Sequence, residues 1–131
     1  MRMSKPRRGY WCECWTEAAT DHQGGQGGPQ LRASFDAYSA AQADRWVAIA
    51  LRTISPALDA DASDEAWGWL YAGRAQTRRA LLAMKPCTVS VTHAGTRITW
   101  TIRPVAFLPL ADRQAAELPP CAYDFKPQQT D

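Results

Sequence analysis

Two stretches of every-second-residue alternation bracket two stretches with a three-and-four-residue period, and that arrangement limits the folds open to this chain. Near the start, Tyr10, Cys12 and Cys14 fall on one side, and Trp11, Glu13, Trp15 and Glu17 on the other. Farther on, Leu31, Ala33, Phe35 and Ala37 alternate with Arg32, Ser34, Asp36 and Tyr38. Near the end, Cys87, Val89 and Val91 alternate with Thr88, Ser90 and Thr92, and Ile98, Trp100 and Ile102 with Thr99, Thr101 and Arg103. Successive side chains of a strand point to opposite faces, so each run predicts a strand with one buried and one free face. The sequence places Leu31, Ala33, Phe35 and Ala37 inward with the Tyr10–Cys12–Cys14 side. Trp11 and Trp15 then lie on the free face without an obvious cover.

Between the strand pairs, Ser39-Ala40-Ala41-Gln42 reads as a capping box that opens a helix. Ala43, Trp46, Val47, Ala50, Leu51 and Ile54 recur as its buried stripe, and Ser55-Pro56 ends it. A second helix is predicted from Ser63, as N-cap, to about Met84, with Asp64 and Glu65 favourable in the first turn. Trp67, Leu70, Leu81 and Met84 share its core face, with Gly73, Thr77 and Ala80 between them, while Trp69 falls off that stripe. Ala94-Gly95-Thr96 reads as a hairpin turn. The order is β-β-α-α-β-β. The predicted fold class is α+β, a single domain with an antiparallel sheet and both helices packed on one face. The rival is a pair of separate hairpins bracketing the helices, and strand order does not follow from the pattern.

A length of 131 residues fits one domain. Residues 1–8 read as a disordered basic arm, 9–104 as the α+β domain, and 105–131 as a proline-rich tail packing on it, with a short helix near Leu110–Glu117. The glycine-rich run His22–Pro29 reads as a flexible connection, since its spacing does not match a phosphate loop. No apolar run approaches a membrane span or a secretory leader, so the expected location is cytoplasmic, with reduced cysteines and no membrane partner. The net charge of +2 says little, but Trp67–Ala111 holds six basic residues and no acid, just after the acids Asp59, Asp61, Asp64 and Glu65.

Few residues suggest chemistry. Cys12 and Cys14, with Cys87, Cys121, His22 or His93, are weak candidates for a zinc site, because their spacing is short of the usual two intervening residues. A cysteine nucleophile needs a positioned base, and neither histidine is linked to a thiol by the sequence. Glu13, between two tryptophans, could be a tuned acid, but pairing with Arg32, Arg97 or Arg103 is the expected role. The outward sheet face is the stronger candidate: Trp11 and Trp15 with Arg32, Arg97 and Arg103, joined by Trp69, Arg74 and Arg78 on the second helix. Aromatic and arginine side chains anchor protein interfaces, and they also stack bases and neutralise phosphates. The alternative for the aromatic residues is cover by the chain's own proline-rich tail. The sequence favours a non-enzymatic protein-binding module, an accessory or inhibitor of a larger complex, with no cofactor. Nucleic-acid binding through residues 67–111 comes second and a small enzyme third.

Overall fold

The computed structural model describes residues 6–19 and 28–108. Two hairpin strands come first, β1 (Arg7–Ala18) and β2 (Gln30–Ala37), followed by α1 (Ala40–Ile54) and a 3-10 turn, Ser55–Ala57. A helical rod follows, made of α2 (Ala60–Gly68), a π-helical turn (Trp69–Gly73) and α3 (Arg74–Leu82). Strands β3 (Cys87–His93) and β4 (Thr96–Phe107) complete the order. Residues Arg8–Val105 form one compact unit. Two boundaries shift: Arg7 and Arg8, expected in a disordered arm, belong to β1, and residues 105–107, expected in the tail, extend β4. The rest of the arm before Pro6, most of the glycine-rich run, the Leu110–Glu117 helix and the tail beyond Leu108 fall outside the described residues.

The strands form one antiparallel four-stranded sheet, ordered β2-β1-β4-β3, with two helical rods. The two hairpins therefore join through β1 and β4, and the Ala19 amide donates to the Gly95 carbonyl at 2.7 Å where they meet. The core lies between one sheet face and the helices. The sheet contributes Tyr10, Cys12, Val89, Val91, Trp100 and Ile102, and the helices contribute Val47, Leu51, Leu70 and Leu81. Burying a side chain of Leu or Ile size stabilises by about 1.5–3 kcal/mol, so these residues supply most of the drive for the helices to cover the sheet. Tyr10 adds a long-range tie: its hydroxyl donates to the Leu81 carbonyl at 2.9 Å, fixing β1 under the end of α3.

Ser39 caps the helix as the sequence predicts, while Gln42 reaches back one residue further, to the amide before the cap. The Gln42 amide donates to Ser39 Oγ at 3.0 Å, and Gln42 Oε1 accepts from the Tyr38 amide at 2.7 Å. The second rod starts earlier than Ser63. Asp59 is its cap, accepting from the Ala62 amide at 2.8 Å. This cap is tied back to β3, since the Asp59 amide donates to His93 Nδ1 at 3.0 Å and the Thr92 amide to Glu65 Oε1 at 3.3 Å. Asp59 thus caps the rod, and Asp59 and Glu65 fasten it to the sheet.

Three further expectations change. Leu31 is 49% exposed rather than inward, because a register shift between Cys14 and Trp15 places it opposite Trp15. One extra residue in β2 reverses the parity of the residues beyond it. Ala33 is also exposed, and Phe35 is part-buried, stacked on Trp46 with ring centroids 5.7 Å apart. Met84 leaves the predicted core face: it takes φ 64° at the helix end, where the Lys85 amide reaches the Ala80 carbonyl and the Met84 amide the Leu81 carbonyl. That is a left-handed cap with its side chain 47% exposed. Trp69 moves the other way and packs against the core. Leu70 and Leu81 keep their predicted core places, and the π turn, which inserts extra backbone into the rod, is where the uniform 100° step misplaces Trp69.

Candidate partner-binding face

On β1, alternation puts Tyr10 and Cys12 into the core and turns Trp11, Glu13 and Trp15 to the opposite face of the sheet. The three form one unit. Trp11 Nε1 donates to Glu13 Oε2 at 2.8 Å, and Trp15 Nε1 donates to Glu13 Oε1 at 2.9 Å. Residues two apart on a strand share a face at the right spacing for one carboxylate to reach both indoles. Both tryptophans remain part-buried and neither belongs to the core.

These hydrogen bonds hold the Glu13 carboxyl below the ordinary glutamate range, since the two indole N–H groups stabilise its charged form. Arg103, exposed on β4, lowers it further through space. The expected cross-strand ion pair does not form: among the described residues, no Arg or Lys comes within 4.0 Å of Glu13. Arg32 instead donates its Nε to Thr16 Oγ1 at 2.8 Å. Arg97 is exposed near the β3–β4 turn, opposite Thr92.

Across the β1–β2 ladder, Trp11 faces Asp36, Glu13 faces Ser34, and Trp15 faces Leu31. Residues opposite one another in an antiparallel pair share a face. Leu31 thus extends the apolar patch beside Trp15, and Asp36 adds a second carboxylate beside Trp11. Alternation puts Glu17 on the same side, part-buried beyond Trp15.

The helical candidates are separate from this face. Arg74 and Arg78 converge on Asp44, a fully buried carboxylate of α1. Arg74 Nε donates to Asp44 Oδ1 at 2.6 Å, Arg78 Nε to Oδ2 at 2.6 Å, and Arg78 Nη2 to Oδ1 at 3.1 Å. Hydrogen bonding to Asp44, and then its charge, raise the Arg78 pKa still further, so it remains a cation throughout. Two arginines over one carboxylate leave a net positive charge beside Tyr71 and Leu82, which are 82% and 66% exposed. These residues line one shallow depression. Trp69 donates Nε1 to Thr77 Oγ1 at 3.0 Å and lies over Gly73, where an added Cβ would sit 2.7 Å from its Cδ1. It is a packed residue of the helical layer.

The three described thiols, Cys12, Cys14 and Cys87, face the core side. Burial pushes Cys12 up to about 12, and Cys14 and Cys87 are raised by the same cause. A thiol held protonated is a poor nucleophile and a poor metal ligand. Among the described residues, no three of His, Cys, Asp and Glu converge on a common point, and His93 is engaged at the Asp59 cap. His22 and Cys121 fall outside the described residues. Among the described residues, no helix is long and apolar enough to cross a membrane.

The sequence singled out Trp11 and Trp15 but not what joins them. Glu13 was legible as their neighbour in the alternation, and two indole N–H groups needing an acceptor were the available signal. Asp44 had no mark beyond its position one turn before Val47 and Ala48. Comparison with protein-family models, curated proteins and solved structures finds no match.

Proposed function

We propose that the protein is a non-enzymatic binding module that docks a protein partner on the outward sheet face, around Trp11, Glu13 and Trp15. The observation that carries this reading is the indole–carboxylate–indole unit on the side of the sheet away from the core. Tryptophan is enriched among residues that dominate interface energetics, and these two, with Leu31, form an aromatic and aliphatic centre ringed by polar residues. In this reading the module occupies a surface of a larger assembly, as an accessory or inhibitor protein does.

The charge distribution favours protein over nucleic acid. Glu13, Asp36 and Glu17 lie on the same face as the indoles and repel phosphate, against Arg103 as the cation that acts on Glu13. Two arginines of the basic region, Arg74 and Arg78, are already engaged by Asp44. Catalysis has less support, because burial favours the protonated form of Cys12, Cys14 and Cys87, and the indole partners favour the ionised form of Glu13.

The test starts with the partner, recovered on the full-length protein from its native host, identified by mass spectrometry and purified. Trp11→Ala or Trp15→Ala should weaken the purified complex by about tenfold or more, the loss expected for an interface anchor. Both variants should keep the thermal midpoint near that of the parent. Unchanged affinity in both variants, or tight binding to duplex DNA that falls steeply with salt, defeats the reading.

A further inference from the structure

We propose that the Glu13 carboxylate, framed by Trp11 and Trp15, is the receptor for an arginine side chain of the partner. This rests on the outward face being the docking surface and adds the chemistry of what docks there.

Three observations converge. First, each Glu13 oxygen accepts one indole N–H, Oε2 from Trp11 and Oε1 from Trp15. A carboxylate oxygen offers two lone pairs, so one remains on each oxygen. Two parallel acceptors on one carboxylate match the paired N–H fork of a guanidinium, which Lys cannot reproduce. Second, the charge has no contact counter-ion within the described residues. Arg103 influences Glu13 through space without reaching ion-pair distance, and Arg32 is turned to Thr16. Asp36, opposite Trp11, and Glu17, two residues beyond Trp15, deepen the negative field. Third, the flanking groups are indoles, and a planar guanidinium stacks on aromatic faces as well as pairing with a carboxylate. The indoles also hold Glu13 in place, so little side-chain freedom is left to lose on binding.

The experiment uses the full-length chain labelled with 15N, with the Trp11 and Trp15 indole signals assigned from Trp11→Phe and Trp15→Phe. The probe is a capped Gly-Arg-Gly peptide. Its control is the same peptide with citrulline, which keeps the shape and removes the charge. The expected result is a joint shift of both indole N–H signals with the arginine peptide and none with citrulline or inorganic phosphate. Glu13→Gln should weaken the arginine peptide about tenfold, since it removes the charge of the acceptor. Equal response to arginine and citrulline, a response to phosphate in place of arginine, or unchanged affinity in Glu13→Gln overturns the inference. The arginine–citrulline comparison needs no variant and decides even if Glu13→Gln folds poorly. Shifts that grow with protein concentration alone would show a second copy on the face and also overturn it.

The purified partner separates this inference from the docking reading. If Trp11→Ala weakens the partner and Glu13→Gln does not, the surface stands and the arginine receptor fails. If neither variant weakens it, the docking reading itself fails.

Discussion

Asp44 offers the sharpest test of how the helical layer is held. It is fully buried on α1, and three charge-assisted hydrogen bonds reach it from α3. Asp44→Asn keeps the size of the side chain. It leaves one oxygen acceptor and turns the other position into an N–H donor, so at least one of the guanidinium donors faces another donor. Breaking a buried ion pair from one side typically costs about 3–5 kcal/mol. Here the figure falls toward the low end, because the Arg74 and Arg78 side chains are 23% and 44% exposed and can turn to water. We expect a loss of about 3 kcal/mol, a large share of the roughly 5–15 kcal/mol that holds a domain together. Urea unfolding followed by circular dichroism measures it, with Arg74→Gln and Arg78→Gln completing double-mutant cycles. Each arginine variant leaves the carboxylate one cation and should cost less than Asp44→Asn. A loss under about 1 kcal/mol for Asp44→Asn, or additive arginine and aspartate variants, would refute the claim that this cluster clamps α1 to α3.

Gly73→Ala gains helix propensity of about 1 kcal/mol but drives a Cβ into the Trp69 ring at 2.7 Å, and that ring is pinned by Thr77. The net result should be a protein about 1 kcal/mol less stable by thermal melting, with altered tryptophan fluorescence. Met84→Gly relieves a left-handed backbone at φ 64° while losing a half-exposed side chain, so it should raise stability by about 0.5–1 kcal/mol. Cys12 has a folded pKa raised to about 12, above its usual value near 9. Its contribution is therefore complete below pH 9 and is lost as pH rises from 9 toward 12, which urea midpoints across that range will read in the parent against Cys12→Ala. Mass-spectrometric iodoacetamide labelling at pH 8 should leave Cys12 unmodified until the protein unfolds.

What the sequence exposes here is what repeats locally. The alternation of Tyr10, Cys12 and Cys14 against Trp11, Glu13 and Trp15 carries straight into the sheet, because each residue of a strand decides only which of two faces it takes. Ser39 and Gln42 cap α1 for a similar reason, since both partners lie within one turn. The failures all involve one inserted residue or one distant partner. A single extra residue in β2 reverses the face of Leu31, and nothing in its own composition marks the shift. The π turn at Trp69–Gly73 breaks the helical phase, and only the small Gly73 hints that an indole must lie close. Asp44 sits on the buried stripe of α1 because its counter-charges arrive from Arg74 and Arg78, thirty and thirty-four positions away. Strand order is of the same kind, set by which hairpin edges meet.

That strand order also decides what the candidate face can do. With β1 and β4 in the middle of the sheet, the indoles stand away from both edges, on a strand hydrogen-bonded along both sides. Its reverse side is locked by Cys12 within the core and by the Tyr10–Leu81 bond. A side chain projecting from such a strand inherits its rigidity, and Glu13 removes most of the remaining freedom by holding both indole rings. Binding groups fixed before contact lose little entropy on contact, so even a small patch can be selective. The same alternation that sends Tyr10 and Cys12 into the core therefore builds the display on its other side: the inward residues immobilise the strand, and the outward ones present a charge and two aromatic surfaces in a single fixed arrangement.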